Sequence, residues 1–227
     1  MANTGPTSGL IESSTAMPQQ HPLPGSFPAS RWRWYHGVAF YLLVQAAGYI
    51  LGNLVSAARR SPRQSPALWE QYFEELNQAA FAPPARAFVP VWAVNNVSAI
   101  WGLLRVLNQP PGAPGRDTFL RLQALSWLDL VVWNAAYFAV RSPVNGFVLT
   151  ALLLALTLAS IGVAVLRLRD TPAALSLATL CAWLLLATPL AWLQMRWNRD
   201  DLWHVGPWAT PRLEWVKPGT GLRRRER

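Results

Sequence analysis

Five apolar blocks, each roughly 17 to 23 residues long, fill most of the chain between residues 37 and 195, and at 1.5 Å per helical residue each is long enough to cross a hydrocarbon layer about 30 Å thick. They run from Gly37 to Ala58, Phe88 to Leu104, Leu122 to Val140, Gly146 to Leu166 and Ala173 to Met195. The breaks between them carry helix-stopping pairs: Ser61-Pro62 and Ser65-Pro66, Pro110-Pro111-Gly112 with Pro114-Gly115, Ser142-Pro143, and Asp170-Thr171-Pro172. None of the blocks alternates polar with apolar residues as a half-buried strand does. A backbone in lipid must satisfy its own hydrogen bonds, so the expected fold is all-α, an integral membrane bundle of five transmembrane helices.

Charge distribution agrees with that expectation. Of 227 residues only 14% are charged, although the net charge is +9 and the isoelectric point is near 11.0. A soluble nucleic-acid binder could share that isoelectric point, but it would not confine its charges to the ends of long apolar runs, so no nucleic-acid partner is expected. The 13 Trp suit a chain with two membrane interfaces. Residues 1–30 are rich in Pro, Ser, Gln and Gly, with Glu12 as the one charge, and are expected to be a disordered tail rather than a signal peptide. Residues 31–198 form the expected membrane domain, and 199–227 a basic tail ending in Arg223-Arg224-Arg225 and Arg227. Arg and Lys near the span ends nearly balance between the two faces, which leaves a slight preference for a cytoplasmic carboxyl end; a bacterial cell membrane is the expected location.

The residues that carry metal or disulfide chemistry are scarce. Cys181 stands alone inside an apolar run, and His21, His36 and His204 have no partner at helical spacing, so no metal site is expected. No Ser-His-Asp set or pair of membrane carboxylates suggests hydrolysis. What stands out instead is polar residues inside spans: Asn95, Asn96 and Ser98 in the second, Ser126, Asp129 and Asn134 in the third. Such groups should face the bundle interior. Asp129 is the most costly, and is read first as bonded to a neighbouring helix or neutral. The fourth span has almost nothing polar and is expected to face lipid. Gly48 and Gly52 have the spacing that lets helices approach closely, within the bundle first and as a homodimer seam second. Pro189 should kink the fifth span.

The stretch FAPPARAFVPVWAVNNVSAIWG, Phe81 to Gly102, places Phe81, Pro83, Pro84, Phe88, Pro90, Val91 and Trp92 in a recognisable order. It resembles the tryptophan-rich sensory protein and translocator family (TspO/MBR, the peripheral-type benzodiazepine receptor type). The resemblance extends to Tyr72, Phe73 and Leu76 upstream, to WNAAYF from Trp133 to Phe138, and to Trp183, Ala187, Leu190, Arg196 and Asn198 in the fifth span. It covers residues 36–198. The chain departs from the family pattern at Asn95-Asn96, Leu130, Thr179-Leu180, Ala191 and Arg86.

By resemblance, the first, second and fifth helices enclose a pocket under the first loop that takes tetrapyrroles, sterols or drug-like aromatic amides. The implied lining is Phe88, Trp92, Asn96, Trp133, Phe138, Trp183, Ala187 and Leu190, with Arg86 at the lid. The chemistry is coherent apart from the analogy: a porphyrin offers a π-face for indole stacking and two carboxylates for arginines such as Arg86, Arg59, Arg60 and Arg63. No cofactor is required; a porphyrin or haem-like tetrapyrrole is the expected bound group. Trp32, Trp34, Trp69, Trp203, Trp208 and Trp215 read as interface anchors or surface packing, and Trp101, Trp127 and Trp192 as lipid-facing or helix-packing residues. A cholesterol pattern lacks its central Tyr among Leu190, Trp192 and Arg196. Three readings stay open: a receptor or carrier for apolar ligands in sensing, sequestration or transport; an enzyme of light-driven or oxidative porphyrin breakdown, with Trp92 and Trp183 as radical-forming indoles; and a divergent subunit with a closed pocket, acting through protein or pigment-complex contacts.

Overall fold

The computed structural model describes Met1 and residues 31–60 and 65–222. The expected disordered tail at 1–30, Arg63 and the terminal arginines lie outside them. Among the described residues the fold is helical and contains no strand. The long elements are α1 (Trp34–Ala58), α3 (Phe88–Leu107), α4 (Arg116–Asn134), α5 (Pro143–Leu166) and α7 (Ala178–Trp197), with the shorter α2 (Pro66–Glu75) and α6 (Thr171–Leu175) between them. A short 3-10 turn, Ala85–Ala87, leads into α3, and a π-helical segment, Ala135–Ala139, follows α4.

Four segments are long and apolar enough to cross a membrane: Trp34–Ala58, Ala85–Leu107, Pro143–Leu166 and Thr171–Trp197. They coincide with the first, second, fourth and fifth expected spans. α4 covers the third, but Arg116, Asp117, Arg121 and Asp129 lie along its 19 residues, and it does not join those four, so four of the five expected spans are matched by helices of this kind. Its limits also differ from the expected Leu122 to Val140. Gly115 supplies a left-handed turn (φ 82°) that starts the helix early, and the chain widens into the π segment at Ala135.

The five long helices form a ring in the order α1, α3, α7, α5, α4, closing back on α1. Residue types at the seams explain the closeness. Gly48 faces the Val131 carbonyl of α4, where a Cβ would stand at 3.4 Å, so the α1 glycine pair, both buried, serves packing inside the bundle. α5 turns a stripe of Gly146, Thr150, Leu153, Thr157, Ser160 and Ala164 inward. That corrects the expectation of a lipid-facing fourth span: only its other side, with Val148, Leu152, Leu158 and Val165, is exposed. Gln123 of α4 donates to Ser160 Oγ at 3.0 Å and Trp133 Nε1 to Thr150 Oγ1 at 3.3 Å, so two polar pairs cross the α4–α5 seam. Asp129 lies on the same helix at 5% exposure, with neither carboxyl oxygen hydrogen-bonded; the expected bond to a neighbouring helix is not made.

One end of the bundle is held by Asn108, which exchanges two hydrogen bonds with the Trp32 backbone at 2.9 and 2.8 Å, and by Asp170, which accepts from Arg105, Gln109 and the Ala173 amide. The other end is covered by α2.

Candidate functional site

α2 starts where Ser65 accepts a hydrogen bond from the Leu68 amide at 3.3 Å and Pro66 takes the first helical position, whose amide needs no partner. Trp69, Tyr72, Phe73 and Leu76 follow at helical spacing, which makes one aromatic face. That face does not point to water. Trp69 stacks on Phe138 with ring centres 5.6 Å apart and planes 17° from parallel, Tyr72 packs on Tyr137 and Phe138, and Phe73 meets Phe88 edge-on at 5.3 Å. Of the two expectations for Trp69, interface anchor or packing, the ring stack is packing. The position of Trp69 three residues before Tyr72 was the available signal.

Beneath α2 the candidate residues divide into two aromatic groups. In the first, Phe88 meets Trp183 edge-on at 5.3 Å, and Trp92 and Trp183 both pack on the cluster of Leu153, Leu180 and Leu184. The second joins Trp133, Tyr137 and Phe138, with ring centres 4.5 to 5.4 Å apart. Phe73 reaches the first group and Trp69 with Tyr72 the second, so α2 roofs both. Asn96, Ala187 and Leu190 are half-buried on α3 and α7. Trp127 packs edge-on against Phe40 inside the bundle, while Trp101 and Trp192 are exposed.

Charge is placed at the rim. Arg86 is exposed in the 3-10 turn directly before Phe88, and Arg59 and Arg60 are exposed at the end of α1. Arg141, in a left-handed conformation (φ 56°), pairs with Glu75 and with Asp201 at 3.3 Å and lies 4.6 Å over the Tyr72 ring. A cleft of about 360 Å³ opens beside this pair, lined by Tyr72, Leu76, Arg141 and Arg199 among others. The Tyr72 hydroxyl itself is buried without a partner, and burial, with Tyr137 adding to it, keeps it protonated far above the ordinary phenol range.

Polar side chains lock this end together, among them Asn77, Gln78 and Gln194, which the sequence did not single out. Tyr137 donates to Gln194 Oε1, Gln194 Nε2 to Gln78 Oε1, and Gln78 Nε2 to the Phe73 carbonyl. Asn77 and Asn198 exchange two further bonds, at 2.7 and 3.2 Å. Among the described residues no three His, Cys, Asp or Glu side chains gather as a metal-binding group.

The order of these aromatics along the chain and their convergence under α2 can be compared with known proteins. The family model described as TspO/MBR family matches residues 40–197, well over half of the chain. This chain belongs to the TspO/MBR family. No curated protein matches it. Family membership and four membrane-crossing helices make it an integral membrane protein of a ligand-binding or sensing family, in contact with the lipid bilayer. Within the TspO/MBR match fall the α2 roof and both aromatic groups, whereas the residues after Trp197 lie beyond it.

Proposed function

We propose that this TspO/MBR protein binds a flat hydrophobic ligand under α2, with a tetrapyrrole as the first candidate, and acts in sensing, sequestration or transport of that ligand. The observation that carries the reading is the run Phe73, Phe88, Trp183, built from edge-on contacts at 5.3 Å, with the exposed Arg86 two residues before Phe88. Indole and phenyl faces suit a macrocycle's π-surface, and a guanidinium at the rim suits its propionate groups. In this reading α4 is a fifth span, with Gln123 and Trp133 bonded to Ser160 and Thr150 of α5. Sterol-like ligands have a hydroxyl but no carboxylate for Arg86, and rank second.

The test is a titration of the detergent-purified protein with protoporphyrin IX, following Trp fluorescence and Soret absorption in the dark and then under light. Saturable quenching in the dark is expected; its absence overturns the reading. Loss of the Soret band with a new product under light would extend the function to porphyrin breakdown through Trp92 or Trp183.

The same ring contacts favour a second reading, because Phe73, Phe88 and Trp183 already occupy one another's faces and edges. A protein with a permanently filled site would act as an interaction subunit. It would give no dark quenching and would co-purify in mild detergent with a stoichiometric partner.

A further inference from the structure

Beyond Trp197 the chain leaves the bundle and returns across its α2 end. Asp200, 1% exposed, fixes the first part: one carboxylate oxygen accepts from Ser142 Oγ at 2.6 Å and the Val144 amide at 3.0 Å at the start of α5, the other from the Leu202 and Trp203 amides. The Arg196 carbonyl then accepts from the Trp208 and Ala209 amides. Trp203 and Trp208 at these anchors, and Leu213 and Trp215 beyond them, keep exposed side chains, with Trp203 Nε1 also donating to Asn145 Oδ1 at 3.0 Å.

Its far part is held tightly against the first loop. Ala79 and Val216 form an antiparallel bridge, with the Ala80 amide donating to the Trp215 carbonyl at 2.8 Å and the Lys217 amide to the Gln78 carbonyl at 2.9 Å. Both bridge residues are buried, at 2% and 0% exposure. Lys217 Nζ donates to the Ala82 and Pro83 carbonyls at 2.9 and 2.8 Å, and the Leu222 amide donates to Asn77 Oδ1 at 2.8 Å. Every one of these partners lies between the end of α2 and the 3-10 turn that starts α3. The loop continues directly from α2, so the strap acts on the roof alongside the bonds of Asn77 to Asn198, Gln78 to Gln194 and Glu75 to Arg141.

We propose that residues 215–222 are a strap that holds the first loop and the α2 roof shut, and that its release is the step that admits the hydrophobic ligand. The inference rests on the ligand-binding reading above and adds to it a control of access by a segment outside the family match. Burial lowers the Lys217 pKa, with Glu74 opposing, so its ammonium depends on the two loop carbonyls for compensation. The strap's backbone bonds run to the loop and not to the bundle helices, so it can part from the loop without unfolding the bundle.

The bridge geometry supplies the test. Ala79 and Val216 are a pair not directly hydrogen-bonded to each other, the type whose Cα atoms stand about 4.5 Å apart, within disulfide range. In a full-length Cys181→Ser background, Ala79→Cys with Val216→Cys locks the strap when oxidised and frees it when reduced. The association rate of protoporphyrin IX is measured by stopped-flow Trp quenching in both states. Oxidation is expected to slow association about tenfold and reductant to restore it, while Lys217→Met, which keeps the stem but removes the donors, speeds it by a similar factor. Equal rates in the oxidised, reduced and Lys217→Met proteins, all of which bind, overturn the strap and leave the ligand reading intact. No saturable binding in the unaltered chain overturns the ligand reading and the gate with it.

Discussion

The buried Tyr137 hydroxyl donates to Gln194 Oε1 at 3.0 Å, joining the π segment after α4 to α7. Gln194 passes the connection on to Gln78, and Gln78 to the backbone of α2. Three segments that the chain order separates widely thus share one donor-acceptor relay, with each group used once.

Breaking the relay at its centre should cost more than breaking it at its end. Gln194→Leu strands a buried hydroxyl and a buried amide, an expected loss of about 2–4 kcal/mol, while Tyr137→Phe strands one acceptor and should cost about 1–2 kcal/mol. Denaturant or thermal unfolding in detergent micelles measures both. Equal losses would mean that Gln194 finds another partner.

Glycine positions along the bundle should respond in opposite ways. A Cβ on Gly102 would overlap the Ser176 side chain, whose Oγ is already bonded to the Ala173 carbonyl, whereas one on Gly162 of α5 meets nothing within 4 Å. Gly102→Ala should destabilise by about 1–3 kcal/mol through overpacking. Gly162→Ala should be neutral or stabilise by up to about 1 kcal/mol through helix propensity. Paired melts of the two variants decide it.

How far the fold was readable from sequence depends on whether the signal was local. The long apolar runs of α1, α3, α5 and α7 needed no partner to be recognised, and the motif from Phe81 to Trp92 with Trp183 carried the family. α4 was harder to delimit because its inward residues, Gln123 and Ser126, look costly until Ser160 and the rest of the α5 stripe stand opposite them. α5 looked lipid-facing because Thr150, Thr157 and Ser160 return their hydroxyls to the helix's own carbonyls or to α4, which no apolar count registers. The roof had local signals in Ser65-Pro66 and the spacing of Trp69, Tyr72, Phe73 and Leu76. The pairing of Ala79 with Val216 had none, since short loop segments far apart in sequence carry no periodicity that announces their meeting.

Asp200 should prove one of the most sensitive positions outside the helices. Four donors converge on its two oxygens, two of them at the start of α5. Asp200→Ala leaves them without an acceptor and should cost about 2–4 kcal/mol. Asp200→Asn keeps one acceptor oxygen but turns an NH₂ toward donors, so its loss should approach that of alanine rather than that of the unaltered chain. Unfolding midpoints of the two variants give the comparison, and a near-native Asp200→Asn would show that only one side of the carboxylate matters.

The rim arginine separates charge recognition from ring recognition. If Arg86 meets a propionate group, Arg86→Ala should weaken protoporphyrin IX binding about tenfold, the worth of one charge-assisted hydrogen bond at a partly exposed site. The same substitution should leave affinity for the dimethyl ester of protoporphyrin unchanged, because the ester has the ring but no carboxylate. Trp183→Ala should do the reverse in pattern, lowering affinity for acid and ester alike, since it removes an aromatic face that both ligands use. Trp-quenching titrations of the two variants against the two ligands give four affinities. An Arg86→Ala loss of equal size for acid and ester would assign Arg86 to shaping the turn before Phe88 rather than to a carboxylate clamp.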